Sequence, residues 1–155
     1  MRYLAPYIRT DLKKKMVFVG GPRQCGKTTL SLSFLKEEYS GTYLNWDRVS
    51  DRKKILNASW TDQEELLIFD EIHKYKKWRN LIKGYYDTEK TVHKFLVTGS
   101  ARLDHYRRGG DSLLGRYHYW RLHPFSLFEK NLGIPKSEVY KRLLLVGGFP
   151  EPFLD

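Results

Sequence analysis

The stretch Gly21-Pro22-Arg23-Gln24-Cys25-Gly26-Lys27-Thr28 limits what this chain can fold into more than any other part of it. An apolar run, 16–20, precedes it and the helix-compatible residues 28–38 follow it. That order is the Walker A pattern in its working context: a strand, a turn whose glycines let backbone N–H groups converge, and a helix whose N-terminus adds partial positive charge. A loop of this kind cradles phosphate groups. Residues Gly21, Pro22, Arg23, Gln24, Cys25, Gly26, Lys27, Thr28 and Thr29 are therefore expected to surround the phosphates of a nucleotide. Within them, Lys27 is suited to the β- and γ-phosphates and Thr28 to Mg2+. Cys25 stands at a variable position that needs only a small residue; the alternative is a thiol made reactive by Lys27 and the helix N-terminus.

A second signal answers the first. Leu66-Leu67-Ile68-Phe69-Asp70-Glu71 is an apolar strand ending in two carboxylates, the Walker B pattern of proteins that hydrolyse ATP. Alone, such a strand end is commonplace. About 40 residues after Lys27, with one strand candidate between them, it predicts that Asp70 holds Mg2+ and that Glu71 orients and polarises the attacking water. A third run, Phe95-Leu96-Val97-Thr98-Gly99-Ser100, ends in small polar residues at the sheet edge where open α/β folds bind ligands. Ser100, or failing that Thr98, is a candidate for holding that water or the γ-phosphate, with ordinary turn chemistry as the alternative. Asp47, after the run 42–46, reads as a solvated strand end, with a position facing the nucleotide as the alternative.

Five apolar or β-rich runs, 16–20, 42–46, 66–70, 94–98 and 117–122, alternate with helical stretches, which predicts an α/β fold with a parallel five-stranded sheet between two helical layers. Four read as continuous Val, Leu, Ile and aromatic residues, as strands covered on both faces do. The fifth, Tyr-His-Tyr-Trp-Arg-Leu, alternates more and suits an edge. In the expected helix 72–86, Tyr75, Trp78, Ile82 and Tyr85 share one arc, which suits packing on the sheet. The loop 133–135 is the one plausible boundary, so 1–132 reads as the core and 133–155, with a helix over 137–146, as the start of a helical lid. Gly147-Gly148-Phe149-Pro150-Glu151-Pro152 is turn chemistry expected to lead into a further element.

The bulk numbers restrict location and partners. No apolar run approaches the roughly 18–20 residues of a membrane span, and the single cysteine cannot form an internal disulfide, so a soluble cytoplasmic protein without membrane contact is expected. Lys and Arg outnumber Asp and Glu by 28 to 18, a formal charge of +10 that favours polyanions. Lys13, Lys14, Lys15, Arg107 and Arg108 carry part of that excess, either as solvated surface or as a nucleic-acid footprint. His73, His93, His105, His118 and His123 lack metal-ligand spacing, so no transition metal is expected. A GTPase is disfavoured by the missing guanine-reading motif, and a small-molecule kinase by Glu71.

Taken together, GPRQCGKTTL, IFDEIHKYKKW, FLVTGSARLD, SLLGRYHYWRLHPFSL and GGFPEPF resemble the prokaryotic AAA+-type ATPases whose longer members continue into a C-terminal region. The resemblance spans nearly the whole chain. It implies a three-layer P-loop NTPase with strand order 5-1-4-3-2, ATP and Mg2+ as ligands, and Ser100 as a polar sensor. It also implies that Arg116 acts as an arginine finger across a subunit interface, which makes a homo-oligomer the expected assembly. The family normally adds a lid with a second arginine sensor, absent from these residues.

Overall fold

The computed structural model describes residues 2–100, 103, 113–129 and 132–155. His105, Arg107 and Arg108, singled out in the sequence, lie outside them. Helix α1 (Ala5–Leu12) leads into β1 (Met16–Gly21), α2 (Lys27–Glu37), β2 (Gly41–Asn45), α3 (Val49–Leu56) and β3 (Leu66–Asp70). A 3-10 turn (Ile72–Lys74), α4 (Trp78–Glu89), β4 (Lys94–Ser100) and β5 (Tyr117–Arg121) complete the sheet region, and α5 (Lys136–Val146) and α6 (Pro150–Leu154) follow.

All strand pairs are parallel, in the order β2-β3-β4-β1-β5, which is the expected 5-1-4-3-2 read from the other edge. Alternate side chains of each central strand enter opposite layers, because successive residues of a strand point to opposite faces. Phe18, Phe69, Phe95 and Val97 pack with Trp78 and Ile82 of α4 and Ile55 of α3. Val17, Val19, Ile68 and Leu96 pack on the other side with Ile8 of α1 and Leu30 and Phe34 of α2. This double burial is why β1, β3 and β4 read as unbroken apolar runs. β5 is an edge strand as its alternation suggested, but β2 is the other edge and only Leu44 is fully buried there.

The expected helix 72–86 is interrupted. Glu71 adopts a left-handed backbone (φ 57°), a single 3-10 turn follows, and Tyr75 is extended so that its ring stacks on Trp46 at 4.9 Å. α4 begins only at Trp78, where the apolar arc takes over. α1, α3 and α6 were not anticipated: each is short, eight residues or fewer, and buries at most three side chains. No described helix is long and apolar enough to cross a membrane.

The N-terminal residues are tied to the sheet's ligand edge by a buried ion pair. Arg2 meets Glu129 at 2.7 Å with side chains 10% and 0% exposed, and donates also to the carbonyls of Cys25 and His123, both at 2.6 Å. Its guanidinium lies 4.7 Å over the Phe125 ring, and the Glu129 carboxylate accepts from the Tyr3 amide. Removing one member of such a pair leaves the other buried without a counter-charge, which costs about 3–5 kcal/mol. Arg2→Ala is therefore expected to lower the thermal midpoint by roughly 10 °C. A shift below about 2 °C in a calorimetric scan would contradict this reading.

Candidate functional site

The register of the ladder assembles the site. Gly21 at the end of β1 pairs with Ser100 at the end of β4, and Asp70 at the end of β3 pairs with Thr98 and with Asn45. Three sequence motifs distant along the chain thus end side by side at one edge of the sheet. In the loop leaving β1, Gln24 and Gly26 take positive φ (60° and 90°), and Gly26 opens α2 in a left-handed conformation that any side chain would strain. Gly21 is required for a different reason: a Cβ there would lie 2.3 Å from the Leu122 carbonyl oxygen. Cys25 is fully buried in the α1–α2 layer, with its thiol 3.5 Å from the Leu122 carbonyl. It fills space, and the reactive-thiol alternative has no exposed sulfur to act on.

Lys27 is 8% exposed and folds back on its own loop, donating to the carbonyls of Pro22 (2.6 Å) and Gly21 (3.2 Å). Asp70, 4% exposed, is the most heavily bonded carboxylate of the edge. It accepts from Thr98 Oγ1 at 2.6 Å, from Tyr43 OH at 2.5 Å and from Thr28 Oγ1 at 3.3 Å. Burial and the bond to Asp70 push the Tyr43 hydroxyl up to about 12, so near neutral pH it stays protonated and donates. Three hydroxyls thus hold the carboxylate in place. Thr98, 1% exposed, is committed to that task, and the cleft beside Lys27 is lined by neither Thr98 nor Ser100.

Glu71 stands one residue on, its carboxylate 3.6 Å from His73 Nε2 and 3.4 Å from Lys74 Nζ. Lys74 in turn pairs with Asp47 at 2.5 Å, and these bonds hold its charge on above the usual lysine range. Ser100 Oγ lies 3.3 Å from the same His73 nitrogen, so one imidazole sits between the two residues assigned to water. Gly99 makes room for that ring, since a Cβ there would approach His73 Nδ1 to 2.6 Å.

Lys27, Thr28, Asp70 and Glu71 line one cleft of about 390 Å³, joined on the loop side by Arg23, Gln24 and Thr29. Pro150 and Glu151 of α6 close its far side. The Gly-Gly-Phe-Pro turn brings them there: Phe125 N donates to Gly148 O at 2.5 Å and the Phe125 and Phe153 rings meet edge to face at 5.2 Å.

Arg116 is not part of this cleft. It precedes β5, whose first residue pairs with Met16, so it lies at the opposite end of the sheet from Gly21 and Ser100. The six residues of β1 separate the two ends by about 17 Å. There the Arg116 guanidinium forks onto the Asp87 carboxylate at 2.8 and 3.2 Å, a pairing that raises the arginine and lowers the aspartate from their ordinary values. Among the described residues, no group of three or more His, Cys, Asp or Glu side chains is arranged to hold a metal ion.

Sequence reasoning missed Tyr43, His73, Arg2, Pro150 and Glu151. A tyrosine in a half-buried strand needs a partner for its hydroxyl, but nothing in the sequence says that the partner is Asp70. His73 was weighed only as a metal ligand.

Comparison with known proteins agrees with the fold. Among curated proteins none matches the chain. Two solved structures of Thermotoga maritima RuvB resemble it in fold: the R170A variant at a TM-score of 0.53 and 17% identity, and the T158V variant at 0.51 and 14%. The matches cover 92% and 97% of this chain but 50% and 66% of theirs, so the chain spans half to two thirds of their length. The family described as "AAA domain" matches residues 13–131, most of the sequence and all five strands. By that match, the chain belongs to the AAA domain family of nucleotide-binding proteins.

Proposed function

We propose that the chain binds ATP with Mg2+ in the cleft between the phosphate-binding loop and the Asp70–Glu71 corner and hydrolyses it to ADP and phosphate, driving a conformational switch. The observation that carries this reading is the convergence of Lys27 and Thr28, at the start of α2, with Asp70 and Glu71, at and just past the end of β3, on one cleft. The donor set suits a hard cation, since Asp70 and Thr28 offer only oxygen atoms and their neighbours Thr98 and Tyr43 are hydroxyls. When bound, Mg2+ supplies charge neutralisation at the phosphate oxygens. Lys27 exchanges the loop carbonyls for phosphate oxygens. Glu71 takes a proton from water as the water oxygen bonds to the γ-phosphorus; the bond from that phosphorus to the β–γ bridging oxygen breaks, and ADP departs with the electron pair. Ser100 orients the water or the γ-phosphate, with His73 holding Ser100 and Glu71 in fixed relation.

Arg116 acts in a neighbouring subunit's cleft in this reading, and its distance from its own cleft supports a shared site over an internal one. The same distance favours a second reading for the isolated chain: a nucleotide-gated binding module that holds ATP as a structural switch with negligible turnover. Pro150 and Glu151 at the cleft support 133–155 as the start of a lid that responds to the nucleotide.

Lys27→Ala is expected to weaken Mg-ATP binding by at least about tenfold, since a charged hydrogen bond contributes roughly 1.5–3 kcal/mol. Equal affinities in calorimetry would exclude the cleft as the nucleotide site. Glu71→Gln should keep ATP affinity within a few-fold yet slow hydrolysis by about 10²- to 10⁴-fold, the contribution of a general base. Unchanged turnover in a phosphate-release assay would remove Glu71 from the chemistry. For Arg116, activity per chain should rise with protein concentration, and mixing Lys27→Ala with Arg116→Ala chains should restore part of the turnover that both lack. A flat concentration dependence, or an Arg116→Ala chain with normal turnover, would refute the shared site.

A further inference from the structure

At the edge of the sheet opposite the nucleotide cleft, five lysines line a second, smaller cleft of about 110 Å³: Lys13, Lys14, Lys15, Lys90 and Lys94. Three follow α1, where Lys13 is the C-cap; Lys90 is the C-cap of α4, and Lys94 opens β4. The fold brings them together because β1 and β4 are neighbours and both start at this edge. No carboxylate lines the cleft. Nearby acids have partners of their own: Asp11 accepts from the Trp120 indole, Glu89 accepts from the Trp60 indole and stands 3.8 Å from His93 of the cleft, Asp87 pairs with Lys83 and Arg116, and Glu65 neutralises Lys94 at 2.5 Å, which leaves four lysines. Lys13, Lys14, Lys15 and Lys90 enter no recorded ion pair among the described residues; Lys90 lies only over the Tyr86 ring, at 5.8 Å.

Lysines at helix C-termini have an ordinary explanation, the negative end of the helix dipole. That explanation is too small here. Each helix end supplies about half an elementary charge, so two ends offset about one of the four lysines. The remainder is a cluster of positive charge along this end of the sheet.

We infer that this lysine cleft is a binding site for the phosphate backbone of a nucleic acid, separate from the nucleotide site. Lysines bind phosphates as point charges, and the cleft offers neither an arginine fork nor an exposed aromatic platform, so binding is independent of base sequence. The two sites lie about 17 Å apart along β1, beyond the screening length of about 8 Å at physiological salt. Backbone and ATP therefore bind without direct electrostatic competition. This inference does not depend on hydrolysis.

The test is fluorescence anisotropy of a labelled DNA duplex of mixed sequence, without nucleotide, across a salt series. Binding should weaken about 100-fold between about 50 and 200 mM salt, the slope for four phosphate contacts. The triple variant Lys13→Glu, Lys14→Glu, Lys15→Glu should lose at least tenfold in affinity and most of that slope, with ATP affinity unchanged. Lys90→Glu, on a different element, should weaken binding in the same direction, whereas Lys54→Glu, exposed on α3, should not. No duplex binding at about 50 mM salt, equal loss in the Lys54 control, or binding of poly-glutamate but not DNA would overturn the inference.

Discussion

Five parallel strands that all run the same way place every strand's carboxyl end at one edge, and the site depends on that constraint before any side chain is considered. The pairings of Gly21 with Ser100 and of Asp70 with Thr98 fix the relative heights of the phosphate-binding loop, the acidic corner and the polar strand end. A slip of one residue in the pairing of β3 with β4 would turn the Asp70 side chain to the opposite face. The register is secured by the two buried layers, in which Phe69 and Phe95 stack at 6.2 Å on one face and Ile68 and Leu96 pack on the other.

On that frame, hydroxyl groups do the positioning. Asp70 is buried, and a buried carboxylate is tolerable only with its lone pairs satisfied; Thr98, Tyr43 and Thr28 satisfy them from three different strands and helices. The carboxylate is therefore aimed before any ligand arrives, the preorganisation that lets a polar site act without rearranging. Glu71 is held differently. Its left-handed backbone and its contacts to His73 and Lys74 keep it at the cleft beside the Asp47 pair, while Asp70 stays locked one residue away. Two adjacent carboxylates thereby sit in separate surroundings.

Much of this was legible in the sequence, and for identifiable reasons. β1, β3 and β4 announced themselves because burial on both faces demands uninterrupted apolar residues, and the glycine pattern around Lys27 can hardly be met by accident beside a strand and a helix. What stayed hidden depends on the tertiary fold. Tyr43 and Asp70 meet only because β2 and β3 are neighbours, and Arg2 reaches the loop only because residues 123–129 return beside it. The break before α4 was masked because Tyr75 continues the apolar arc while its ring serves a different contact, Trp46. The turn at 147–152 was recognised as a turn, but its direction, back over the cleft, was not written in its residues.

The central claim is that the cleft bounded by the loop, the acidic corner and α6 receives a magnesium nucleotide. Amide resonances followed during titration with Mg-ATP test it residue by residue. The account predicts that the largest changes fall on Gly21 and residues 23–29, on Asp70 and Glu71, on Ser100 and on Glu151, with little change at Lys13, Lys14, Lys15 or Lys90 across the sheet. Changes confined to the lysine edge, or none at saturating nucleotide, would contradict it.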